Sequence, residues 1–132
     1  MITALLTDFG VDKARPVIGP APTAAERHLL AVSDSLLDAS AATHYRSGVG
    51  RLLWVAPVRP DLLYATKELC RAMAAPTRGH FAALKRALRY HLGTRDMILQ
   101  LCAATDQPKA ELCVATDASW ASSADGRSTT GG

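Results

Sequence analysis

Tyr45-Arg46-Ser47-Gly48-Val49-Gly50-Arg51-Leu52-Leu53-Trp54-Val55-Ala56-Pro57 is the stretch that decides the fold. Val49, Leu52, Leu53 and Ala56 recur at the spacing of one helical face. Pro57 ends the run, because a proline inside a helix removes a backbone donor and collides with the turn before it. Gly48 and Gly50 would each weaken an isolated helix by about 1 kcal/mol relative to alanine. Two glycines kept in such a helix point to a neighbour packed against its backbone.

Helical signals continue downstream. Pro60 suits a first helical turn and Asp61 complements the positive end of the helix dipole, so a second helix is expected to start there. Leu62, Leu69 and Met73 mark its buried face, and it should end before Pro76. Thr77 is a plausible N-cap for a third helix, in which Phe81, Leu84, Leu88 and Leu92 share a side and Gly93 closes the run. Trp54 and Tyr64, both on helices, read as core anchors. Upstream, residues 2–9 form a short amphipathic helix, with Leu5 and Phe9 four apart and Gly10 where a left-handed residue closes a helix. Pro16, Pro20 and Pro22 make residues 13–23 an extended connector. Residues 24–40 are rich in alanine and serine and only weakly periodic.

After Asp96 the period changes. Met97-Ile98-Leu99-Gln100-Leu101-Cys102 and residues 111–116 read as two strands joined by a polar loop, and Asp125-Gly126 as a turn. Asp117 follows the second strand in Thr116-Asp117-Ala118-Ser119-Trp120. A strand that delivers an aspartate into a small polar turn is how many metal-dependent phosphoryl-transfer sites begin. Such sites hold two divalent ions about 3.5–4 Å apart and need several carboxylates. One carboxylate is not a site, so the chain reads as a piece of an enzyme rather than a complete one.

Composition sets the outer bounds. A chain of 132 residues is long enough for one domain with a modest core, and 48% of it is apolar, but only 5% is aromatic. The formal charge of +3 and isoelectric point near 9.0 permit a phosphate-bearing partner without requiring one. Cys70, Cys102 and Cys113 lack ligand spacing and read as reduced thiols, although Cys102 and Cys113 would approach across a hairpin. No apolar run is long enough to cross a membrane and no secretory leader pattern opens the chain, so cytoplasm or nucleus is expected. The four histidines, His28, His44, His80 and His91, are scattered and suggest no metal site.

At this point the motifs, taken in order, resemble a known family. Tyr45-Arg46-Ser47-x-Val49-Gly50-x-Leu52-Leu53 is followed by Arg59-Pro60-Asp61-Leu62-x-Tyr64-Ala65. Next come Met73-x-x-Pro76-Thr77-x-x-His80 and Leu84-Lys85-Arg86-x-Leu88-Arg89-Tyr90-x-Leu92-Gly93-Thr94. Asp117-Ala118-x-Trp120-Ala121 and Arg127-Ser128-Thr129-x-Gly131 complete the series. Together they resemble the block between the reverse transcriptase palm and the ribonuclease H domain of Ty1/copia-type retrotransposon Pol polyproteins. Leu5-Leu6-x-x-Phe9-Gly10 and Pro16-Val17 are similar to the segment leaving the palm.

The resemblance implies an α+β fold: three main helices followed by a C-terminal antiparallel β-hairpin, an incomplete ribonuclease H-like sheet. It implies three segments, namely residues 1–43 (end of the reverse transcriptase and connector), 44–96 (helical connection) and 97–132 (opening of ribonuclease H). The parent activities would be RNA-directed DNA synthesis and two-metal hydrolysis of RNA in RNA–DNA hybrids. Asp117 corresponds to the nuclease's first Mg²⁺-binding, catalytic carboxylate. The aspartate pair of the polymerase is absent, the later nuclease carboxylates would lie beyond Gly132, and Ser119 stands where the family commonly has aspartate. The chain is therefore expected to be a truncated fragment, inactive alone and binding no Mg²⁺ tightly.

Arg78, Lys85 and Arg89 share one face of the third helix, with Arg86 beside them. They read either as a solvated face or as a phosphate-tracking surface for an RNA–DNA hybrid or other nucleic acid. The alternative function is a non-catalytic module that binds nucleic acid or self-associates through an unpaired sheet edge.

Overall fold

The computed structural model describes residues 2–22, 35–100, 117–119 and 129–131, the last two stretches by their backbone. Packing divides the chain into Met1–Gln100 and Leu101–Gly132.

The described residues of the first unit form four helices: α1 (Ile2–Asp8), α2 (Ala39–Val55), α3 (Pro60–Arg71) and α4 (Arg78–Gly93). A single 3₁₀ turn, Ala56–Val58, joins α2 to α3 where Pro57 stops the longer helix. Helix α1 closes with a Schellman motif. Val11 N–H donates to Leu6 O and Gly10 N–H to Thr7 O, both at 2.9 Å, with Gly10 in the left-handed region at φ 62°.

Helix α2 starts earlier than its apolar stripe. Asp38 caps it, its carboxylate accepting from Ala41 N–H at 2.8 Å, and the alanines between Ala39 and Ala42 carry the first turn. Its buried face comprises Ala42, Tyr45, Gly48, Val49, Leu52 and Val55. A Cβ on Gly48 would overlap the Phe9 ring and come within 2.9 Å of Leu84 Cδ2, so α1, α2 and α4 meet there at backbone distance. Gly50 has open space beside it and no such role. Residues 35–37 pair with the entry to α4 through Leu37 N–H to Pro76 O and Arg78 N–H to Ser35 O.

The core gathers Leu5, Phe9, Tyr45, Val49, Leu52, Leu62, Leu69, Leu84 and Leu88 between the four helices. Leu53, Trp54 and Tyr64 are not in it. They are 53%, 79% and 60% exposed, which corrects the expectation that Leu53 shares the buried stripe and that Trp54 and Tyr64 anchor the core.

The α+β fold class is also corrected. The described part of the first unit is helical, and Met97–Gln100, expected to open a hairpin, is irregular. Met97 N–H donates to Thr94 O at 3.1 Å in a turn. Met97, Ile98 and Leu99 stand exposed, because an unbroken apolar run makes a strand only where a ladder partner and two covering faces exist.

In the second unit the described backbone consists of two three-residue strands, β1 (Asp117–Ser119) and β2 (Thr129–Gly131), paired antiparallel with Asp117 opposite Gly131. Asp117 thus lies within a strand rather than in a turn after one. The expected strand over 111–116, the approach of Cys102 to Cys113, the Asp125-Gly126 turn, Trp120 and most of 24–40 lie outside the described residues. Among the described residues no helix is long and apolar enough to cross a membrane.

Candidate functional site

Helix α4 carries the four basic residues singled out from the sequence, and its start is firmly set. Thr77 Oγ1 accepts from His80 N–H at 3.4 Å while His80 Nδ1 accepts from Thr77 N–H at 3.1 Å, a reciprocal capping box in which histidine replaces the usual glutamate. Arg78 and Lys85 are exposed, and Lys85 Nζ sits 5.4 Å from the centre of the Phe81 ring.

Arg86 and Arg89 face a different neighbour. Arg86 Nε–H donates to Gly19 O at 3.2 Å and Ala21 O at 3.0 Å, and Arg89 Nε–H to Arg15 O at 2.8 Å. The proline-rich segment cannot pair its carbonyls in a helix or sheet, so these two guanidinium groups hold it like a strap along α4. Pro16 seats against Gly93, where an added Cβ would come within 2.6 Å of its ring. The basic face is therefore divided, with Arg78 and Lys85 exposed and Arg86 and Arg89 bonded to the chain's own backbone.

A second cluster escaped the sequence reading. Arg59 is only 5% exposed, yet all five of its N–H groups are used. Nε and Nη2 clasp the Asp61 carboxylate at 2.9 and 2.6 Å, Nη2 also reaches Thr94 Oγ1 at 2.7 Å, and Nη1 donates to Thr94 O at 2.9 Å and His91 Nδ1 at 3.1 Å. Tyr90 O–H donates to Asp61 Oδ2 at 2.8 Å, and Thr94 Oγ1–H to Tyr90 O at 2.9 Å. The start of α3 is thereby locked to the end of α4. The signal is present in the short spacing of Arg59 and Asp61 about Pro60, but Pro60 and Asp61 read as a helix start, a reading that gives Arg59 no partner.

The chemistry of this cluster is structural. The Arg59 hydrogen bonds, aided by Tyr90, hold the Asp61 carboxyl down at about 2. Burial, with the Arg59 charge beside it, pushes the His91 ring below its usual value. A guanidinium only donates, so His91 Nδ1 accepts and the neutral ring carries its proton on Nε2, which is buried without a partner among the described residues. Elsewhere Tyr45 O–H donates to Leu69 O at 2.8 Å and Arg46 Nε–H to Met73 O at 2.8 Å, closing the C-terminal end of α3. Burial raises the Tyr45 hydroxyl, with Cys70 nearby.

Of Asp117 only the backbone, within β1, is described. Among the described residues no three His, Cys, Asp or Glu side chains form a group able to hold a metal ion.

Similarity to known proteins bears on identity. The chain is 52% identical over 54 residues to the retrovirus-related Pol polyprotein from transposon RE2 of Arabidopsis thaliana, covering 41% of this chain and 4% of that protein. It is 50% identical over 52 residues to the corresponding polyprotein from transposon RE1 of the same plant, covering 39% and 4%. This chain shares a stretch with retrotransposon Pol polyproteins. That stretch is a small part of their length. A longer alignment, 36% identical over 89 residues, pairs it with secreted RxLR effector protein 161 of Plasmopara viticola, covering 67% of this chain and 61% of that one. No family model matches the chain. No solved structure matches it either.

Proposed function

We propose that this chain is a segment of a Ty1/copia-type retrotransposon Pol polyprotein, from the connection between reverse transcriptase and ribonuclease H. In this reading its task is to contact the RNA–DNA hybrid through phosphates, while the polymerase and nuclease reactions belong to the longer protein. The observation that carries the reading is the half-identical stretch shared with the RE2 and RE1 polyproteins. The exposed Arg78 and Lys85 on a capped helix, in a chain with an excess of basic residues, supply the electrostatic means. Phosphate contacts of this kind position a duplex without reading its sequence.

A labelled RNA–DNA hybrid titrated with the full chain at low and moderate salt tests this. Binding should fall steeply as salt rises, because each neutralised phosphate releases a condensed counterion. Charge reversal at Lys85 and Arg78 together should abolish it. Folded protein that binds no hybrid at low salt would sink the reading. Mg²⁺-dependent hybrid cleavage lost in Asp117→Asn would show instead that the chain is itself a nuclease.

A further inference from the structure

Beside Lys85 the surface changes character. The His44 ring, exposed on α2, lies on the buried Phe9 ring with centroids 4.1 Å apart and planes 29° from parallel. Phe81 of α4, half-buried, meets both: its centroid is 5.8 Å from Phe9 and 5.9 Å from His44, the latter edge-on at 62°. Among the described residues no other ring covers His44. The result is a three-ring cluster in which the exposed His44 ring rests on the buried Phe9 ring, with Phe81 edge-on beside it and the Lys85 ammonium over Phe81. Arg78 stands two turns earlier on the same helix, seven residues from Lys85 and so on nearly the same face.

We infer that the His44–Phe81 platform with Lys85 and Arg78 binds single-stranded nucleic acid, a base stacking on His44 while the two cations take the flanking phosphates. The inference rests on the nucleic-acid reading above and deepens it. Three observations favour this occupant. A rigid exposed ring beside cations is the combination by which single strands are held without sequence preference. A duplex keeps its base faces covered, so a stacking surface selects an unpaired strand. The other two arginines of α4 are bonded to the strap, which moves the phosphate-binding edge toward His44.

Fluorescence anisotropy with a labelled oligothymidylate, and with an RNA–DNA hybrid of the same length, tests it on the full chain. His44→Ala should weaken oligothymidylate binding by roughly five- to a hundredfold, the range set by losing one base–aromatic stack, and leave hybrid binding unchanged. His44→Tyr keeps a ring on Phe9 and should keep the affinity. Lys85→Glu should weaken both ligands. Circular dichroism confirms that each variant is folded, which the exposure of His44 and Lys85 favours. Equal oligothymidylate binding by wild type and His44→Ala, with the hybrid still bound, would overturn this inference alone. Folded wild type that binds neither ligand would overturn the nucleic-acid reading and this inference with it.

Discussion

Arg59 and Arg89 are the same side chain put to two uses. Arg59 is buried, spends every donor inside the fold and is clasped by one carboxylate, one hydroxyl, one carbonyl and one ring nitrogen. Arg89, partly exposed, holds one carbonyl of a strap through Nε. Stability is therefore concentrated at Arg59. A charge taken out of water must be fully partnered, so removing one partner is costly, whereas a partly solvated charge falls back on water. The interlock of α3 with α4 should behave as a single unit, and the strap as a set of weak independent contacts.

The sharpest way to break that comparison is Asp61→Ala. It leaves the Arg59 charge buried and takes the acceptor from Tyr90, and should cost about 3–5 kcal/mol in urea denaturation. Total stability for a domain of this kind is about 5–15 kcal/mol, so the variant would sit near the edge of folding. The double variant Arg59→Met with Asp61→Leu replaces the pair by apolar groups and should recover most of the loss. A single variant that costs under about 1 kcal/mol would place the pair in water, in the class of exposed ion pairs.

Acid sharpens the same contrast. Asp61 titrates at about 2 in the fold against an ordinary 3.8, so its contribution is complete above the higher value and is lost as pH falls toward the lower. That loss amounts to about 2 kcal/mol. His91 is held below its ordinary 6.5, so the unfolded chain takes the proton first. Its share of stability is therefore complete above 6.5 and declines as pH falls below it. Stability should drop in two steps, the upper one missing in His91→Gln and the lower one in Asp61→Asn. A flat profile from about pH 7 to about pH 5 would mean that His91 takes up its proton as readily in the fold as in the unfolded chain.

The helix ends were legible because local chemistry fixes them: Pro57, Pro60, Thr77 and Gly10 each act on their own turn. What lay beyond sequence reading was partner choice. Nothing in Arg86 or Arg89 announces that carbonyls of Arg15, Gly19 and Ala21 will reach them, some seventy residues away in the chain. The Arg59 cluster depends in the same way on bringing Thr94 beside Pro60. The start of α2 was missed for a different reason. Asp38 caps a run of alanine and serine whose helix preference comes from propensity rather than from an apolar stripe. The false strand at Met97 shows the converse, since apolar content without alternation does not specify pairing. For the site, basic residues were visible as a stripe, but their division between strap and solvent was not.

The strap should respond weakly. Arg86→Ala and Arg89→Ala each remove contacts to backbone carbonyls at a partly wet surface and should cost about 0.5–1 kcal/mol. Their clearer signature is local. Amide exchange and proteolytic cleavage within residues 11–22 should rise while protection of α2 and α4 stays unchanged. A global loss as large as that of Asp61→Ala would make the strap part of the interlock and erase the distinction between the two arginines.

The smallest effect is expected at the largest side chain. Trp54 reads as a core anchor because it lies on a helix, yet at 3.6 residues per turn it points roughly 200° away from Leu52, on the far side of the buried arc that Tyr45, Val49, Leu52 and Val55 define. Tyr64 stands in the same relation to Leu62 on α3, and both are largely exposed. Angle therefore outranks size in deciding burial on a helix with one covered face. Trp54→Ala should change stability by no more than about 0.5 kcal/mol. A cost in the range of a buried tryptophan, about 3–5 kcal/mol, would mean that this face is covered in solution. Because a cover supplied by a second copy dissociates on dilution, the dependence of the unfolding midpoint on protein concentration would then separate an intermolecular cover from one within the chain.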